Sequence, residues 1–149
     1  MAAVRLNDLN LASPISYTEN LQMVLLAEDD DDDKEFIKLA FEKASATHRL
    51  HIADNGQEAL NYLLPLPEND LPCLIVLDLN MPVLNGLQTL EALNKIPKFQ
   101  KIPVVIFSTS DSIEDKNRCL SKGAADYLVK PSNMTEIVES VNSMLRYCG

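Results

Sequence analysis

No stretch of the 149 residues approaches the ~20 consecutive apolar positions that a membrane-spanning helix needs, so no membrane role is expected. Basic residues are in deficit. Lys and Arg number 13 against 22 Asp and Glu, a formal charge of −9, and they form no cluster. Neutralising a nucleic-acid backbone needs such a cluster, so no nucleic-acid partner is expected either. Cysteine is sparse: Cys73, Cys119 and Cys148 are widely spread and lack CxxC spacing, and His48 and His51 lie far from all three in sequence. Neither a zinc site nor a disulfide framework is expected. A secretion signal is also missing, because Asn, Asp and Ser interrupt the apolar residues of "MAAVRLNDLNLASPISYTEN". The expected compartment is therefore the reducing cytoplasm. Residues 1–20 read as a flexible extension, with docking of Leu6, Leu9 and Leu11 as the alternative; residues 21–149 suit one domain.

From residue 21 onward, short apolar runs alternate with helical patterns. The runs are "MVLLA" (Met23–Ala27), "RLHIA" (Arg49–Ala53), "CLIVL" (Cys73–Leu77), "VVIF" (Val104–Phe107) and "YLV" (Tyr127–Val129). Between them, apolar residues recur every three or four positions. Phe36, Ile37, Ala40, Phe41 and Ala44 form the first such face, and Ala59, Leu60, Leu63 and Leu64 the second. A third helix follows Gly86, a fourth runs from Ile113 to Lys122 with Gly123 to end it, and Met134 opens the last. "PLPENDLP" (Pro65–Pro72) is a loop. The pattern predicts an α/β fold: five βα units in a parallel sheet, doubly wound, with no residues left over for a second domain.

Parallel strands point one way, and open α/β sheets bind ligands beyond their C-terminal ends. Strand one delivers Glu28 and Asp29, strand three Asp78, strand four Ser108 and strand five Lys130. The three carboxylates would repel by about 4 kcal/mol per pair at 4 Å and an effective dielectric of 20. Lys130 offsets one charge. A divalent cation removes the rest of the conflict, and all-oxygen ligands favour Mg²⁺. Such a site would let Asp78 attack a phosphoryl donor while the cation and Lys130 neutralise its oxygens. The acids Asp30 to Asp33 are expected to form a solvated helix start. They do not make an EF-hand, since Lys34 or Phe36 stands where glycine is required.

The segments "LLAEDD", "VLDLNMPVLNG", "PVVIFSTSD" and "GAADYLVKP" resemble the receiver domain of two-component response regulators, the CheY-like family. The resemblance covers roughly residues 21 to 147. It implies the strand order 2-1-3-4-5, with Asp54 at the sheet border. It implies that Asp78 accepts phosphate from a sensor histidine kinase. Asp29 would hold Mg²⁺ directly, with Mn²⁺ as a substitute, Glu28 largely through water, and Asn80 by its backbone carbonyl. Ser108 would follow the phosphoryl group inward, Tyr127 would move with it, and the Lys130–Pro131 peptide bond would be cis, as in most members. Thr109 and Ser110 depart from the commonest family residues and bear on the lifetime of the phosphorylated state. A narrower resemblance, to small regulators that partner phytochrome-type kinases, rests on the Pro65–Pro72 loop and "FSTSDSIED".

The function expected is phosphorelay signalling by a phosphoacceptor switch that is not an enzyme in the ordinary sense. Its output would reach a downstream protein or a phosphotransfer protein. A homodimer through the fourth helix, fifth strand and fifth helix is a further expectation. Two alternatives stand beside this reading. A haloacid-dehalogenase-type phosphatase also forms an aspartyl phosphate, but needs an acid where "DLN" has Asn80. A flavodoxin-like nucleotide binder would need small residues and free amides after strand one, where six acids stand.

Overall fold

The computed structural model describes residues 21–45 and 47–149. The expectations for residues 1–20 lie outside it. The strands are β1 (Gln22–Ala27), β2 (His48–Ala53), β3 (Leu74–Leu77), β4 (Val104–Ser108) and β5 (Asp126–Val129). They form one parallel sheet in the order β2-β1-β3-β4-β5. The helices are α1 (Asp31–Ala44), α2 (Gly56–Leu63), α3 (Gly86–Asn94), α4 (Ile113–Ser121) and α5 (Met134–Leu145).

Every one of these helices starts on a side chain that accepts a hydrogen bond from the backbone three residues on. The caps are Asp30, Asn55, Asn85, Ser112 and Asn133. Each satisfies an N–H that the helix cannot, worth about 1 kcal/mol. At the other end of α4, Gly123 adopts φ 103°, a left-handed conformation that glycine reaches without a Cβ penalty.

Successive strand residues face opposite sides, so each strand feeds two cores. Leu25, Ile75, Leu77 and Ile106 pack with Leu63, Leu90 and Leu93 on one face. Val24, Leu26, Val76 and Val105 pack with Ile37 of α1 and Val141 of α5 on the other. β3 is buried along its whole length, which is why its sequence is continuously apolar.

Four expectations are corrected. Phe36 is 51% exposed, because the buried stripe of α1 centres on Ile37, Ala40 and Phe41 and leaves Phe36 at its edge. Leu64, at the edge of its own stripe just past α2, is likewise exposed. Cys73 and Cys148 form a disulfide with Cα atoms 4.8 Å apart. Cys73 sits just before β3, and the one-turn 3₁₀ helix Arg146–Cys148 returns from α5 to that same end of the sheet. A separation of 75 residues in sequence hides this contact. The resemblance also implied a cis bond before Pro131, but the described residues contain no cis peptide. The long Lys130 stem reaches its partners from a trans bond.

Candidate functional site

The ladder register brings the strand ends together. The Glu28 N–H donates to the Ala53 carbonyl at 3.0 Å, and the Asp78 N–H to the Ala27 carbonyl at 3.0 Å. The Lys130 N–H donates to the Ser108 carbonyl at 2.7 Å. Carboxylate oxygens of Glu28, Asp29 and Asp78 all lie within 4.8 Å of one another. Glu28 is 1% exposed and Asp78 7%, whereas Asp29 faces solvent. The Lys130 ammonium donates to Glu28 Oε1 at 2.6 Å and to Asp33 Oδ2 at 2.8 Å, and stands 3.5 Å from Asp78 Oδ1.

Charge in this cluster does not balance. Burial pushes the Glu28 carboxyl up to about 7, against the pull of Lys130, and the Asp78 charge adds to the rise. Burial raises Asp78 in the same direction, with Lys130 opposing. For Lys130, burial works against the ammonium, but the hydrogen bonds it donates to Asp33 and Glu28 outweigh it and hold the proton more tightly. Burial is thus the main reason these acids hold their protons, and the neighbouring carboxylate charges add to it. The donors are all oxygen, the ligand chemistry of a hard divalent cation, and the partly exposed rim leaves room for water.

Ser108 ends β4 fully buried, and its Oγ accepts from the Ser110 N–H at 3.2 Å. The Tyr127 ring is buried, and its hydroxyl donates to the Ser110 carbonyl at 2.9 Å. Ser110 Oγ in turn donates to Asp115 Oδ2 at 2.7 Å, in the first turn of α4. Asn80 is exposed two residues past Asp78. Asp54 is tied to Lys34 at the sheet border, away from the cluster.

Two roles in the cluster were missed from sequence. Asp33 pairs with Lys130, although it was assigned to the solvated helix start. It lies in the first turn of α1, just past the Asp30 cap, close to the strand end that carries Glu28 and Asp29. Ser110, noted in the sequence only for its bearing on the lifetime of the phosphorylated state, links Ser108, Tyr127 and α4, a role that no sequence signal marks.

Gly86 explains why the loop after β3 can close over Asp78. Its N–H donates to the Leu79 carbonyl at 3.0 Å. A Cβ there would collide with the Asp78 carbonyl oxygen and come within 2.9 Å of Leu79 Cα. In the same loop Val83 takes φ 69° between the Pro82 carbonyl and the Leu84 N–H, which bond at 2.7 Å. That is a strained γ-turn, and for a β-branched residue an uncommon one.

A family model described as the response regulator receiver domain matches residues 24–142. The chain belongs to that family. This receiver is 32% identical over 128 residues to the probable methanogenesis regulatory protein FilR2 of Methanothrix harundinacea, a match covering 84% of this chain and 82% of FilR2. It is similar to the phosphorylated cyanobacterial phytochrome response regulator RcpA, with 28% identity, TM-score 0.75, and coverage of 85% of this chain and 93% of RcpA. It is also similar to the Mn²⁺-bound form of the response regulator Rcp1, with 28% identity, TM-score 0.72, and coverage of 83% and 91%.

Receivers are phosphoacceptor switches of two-component phosphorelays, and phosphorelay signalling is the function of this domain. A histidine kinase is the partner that function implies, and Mg²⁺ or Mn²⁺ binds at the acidic pocket of such domains. Neither the phosphatase nor the nucleotide-binding alternative is favoured. Among the described residues, no helix is long and apolar enough to cross a membrane.

Proposed function

We propose that Asp78 is the phosphoacceptor, and that Glu28, Asp29, Asp78 and the Asn80 backbone carbonyl hold Mg²⁺, or Mn²⁺ in its place. The observation that carries this reading is the meeting of three carboxylates within 4.8 Å of one another beside Lys130. When bound, the cation supplies positive charge for the oxygens of the transferring phosphoryl group. An Asp78 oxygen attacks phosphorus, the bond to the kinase's histidine nitrogen breaks, and the imidazole leaves. The Lys130 ammonium, desolvated and firmly protonated, stabilises one phosphoryl oxygen, and the Ser108 hydroxyl donates to another. The domain catalyses only its own phosphorylation and dephosphorylation.

The path from site to surface runs through Ser110. Drawing the Ser108 hydroxyl toward a phosphoryl oxygen perturbs the Ser110 backbone that it accepts from. Ser110 holds both the Tyr127 hydroxyl and Asp115 of α4. The face beyond carries exposed Ile113, Leu120 and Val129, apolar side chains suited to a protein partner. We assign the output to this α4–β5–α5 face, facing a downstream protein, a phosphotransfer protein or a second copy. A phytochrome-type kinase is the proposed donor, in keeping with the likeness to RcpA. The cytoplasm is the proposed compartment, and the Cys73–Cys148 disulfide is the observation that bears against a permanently reducing one.

Acetyl phosphate with Mg²⁺, followed by intact mass measurement, tests the acceptor. One phosphoryl group per chain is expected, and none in Asp78→Asn. A full increment in that variant overturns the assignment.

A further inference from the structure

At the opposite edge of the sheet from the carboxylates, His48 opens β2, Cys73 precedes β3, and Cys148 lies in the C-terminal 3₁₀ turn. One ring nitrogen of His48 and both sulfurs lie within 4.8 Å of one another. His48 Nδ1 hydrogen-bonds with Ser45 Oγ at 2.7 Å, which fixes the ring. His48 Nε2 is sealed from solvent with no hydrogen-bond partner, alone in this among the side-chain N and O atoms of the described residues. Leaving such a group unsatisfied costs about 1–3 kcal/mol, so something that satisfies it has a ready advantage. A ligating histidine is commonly held at one nitrogen by a hydrogen bond and gives the other to the metal.

We propose that reduced Cys73 and Cys148, with His48, form a site for a borderline-soft divalent cation of the Zn²⁺ class, exclusive with the disulfide. Thiolate and imidazole are that ion's preferred donors, and a hard cation such as Mg²⁺ has no use for sulfur. Tetrahedral bonds of about 2.0–2.3 Å separate ligand atoms by roughly 3.3–3.8 Å, so the sulfurs move apart from their bonded distance by rotation about their side-chain torsions. The third direction is filled by His48, and the fourth is left for water or an exchangeable ligand. Burial lowers the affinity of His48 for a proton, which favours the neutral ring that ligates.

Opening the site takes two electrons. A small-thiol reductant attacks one sulfur and the other cysteine leaves as thiolate. A second reductant thiol then releases the first cysteine, and the reductant ends as its own disulfide. Metal binding displaces the remaining thiol protons to solvent.

The test uses the full chain, reduced with a phosphine that does not chelate metal and kept in excess Mg²⁺. Co²⁺ serves as the probe. A thiolate-to-cobalt charge-transfer band saturating at one equivalent is expected, abolished by stoichiometric Zn²⁺ and absent from unreduced protein. Cys148→Ser should eliminate it, His48→Gln should weaken Co²⁺ binding at least tenfold, and Cys119→Ser should leave it intact. Circular dichroism of each variant verifies folding. The proposal is overturned if reduced, folded protein shows no band, if Cys148→Ser retains it, if His48→Gln binds as tightly as the parent, or if loss follows Cys119→Ser instead.

Discussion

Glu28 and Asp78 share the positive charge of Lys130, and Asp33 competes for it. The folded-state pKa of Glu28, about 7 against an ordinary 4.5, makes this measurable. Between those values the folded chain retains a proton that the unfolded chain has lost. In metal-free protein, stability contributed by protonated Glu28 is therefore present at low pH and lost as pH rises toward 7, by as much as about 3 kcal/mol. His48 and His51 are lowered by burial and act in the opposite sense below their ordinary value of 6.5. The informative quantity is the stability difference between Glu28→Gln and the parent in chelator. That difference should grow in favour of the variant from pH 4.5 to 7 and level off above. A pH-independent difference in denaturant midpoints would contradict the raised carboxyl.

At the scale of elements, the loop from β3 into α3 is the tightest part of the site, and Gly86 sets how closely it approaches Asp78. In Gly86→Ala, helix propensity favours the substitution by up to about 1 kcal/mol. The new Cβ meets backbone, which cannot swing aside as a side chain can. The clash should win, with a net loss of about 1–3 kcal/mol in denaturant unfolding and slower labelling by acetyl phosphate as the Asp78 backbone shifts. Unchanged stability would show that the loop yields freely. Strand ends such as Leu77–Asp78 and Ser108 were legible because a continuous apolar run stopping at a polar residue marks where a buried strand leaves the sheet. Asp33 was not, because an acid in the first turn of a helix has a sufficient reason to be there in the helix dipole. Phe36 misled for a related cause: periodicity gives the centre of an apolar stripe better than its edges.

For the whole molecule, the two ends of the sheet carry opposite chemistries, oxygen donors at the C-terminal rim and sulfur with imidazole at the other. Only the first was visible before the fold. Its residues follow strands in a fixed topological logic, whereas Cys73 and Cys148 meet because of where a final helical turn happens to pack. The side chains of the carboxylate end arrive from β1, β3 and β5, on both sides of the exposed turn within Pro65–Pro72. A chain cut in that turn separates Glu28 and Asp29 from Asp78, Ser108 and Lys130. Neither piece alone should label with acetyl phosphate. Mixed together they should reassociate along the β1–β3 seam, whose four paired positions are all buried on both sides, and recover labelling. Phosphoryl uptake would then report on reunion of the halves, making this receiver a split sensor of proximity between whatever is fused to each piece.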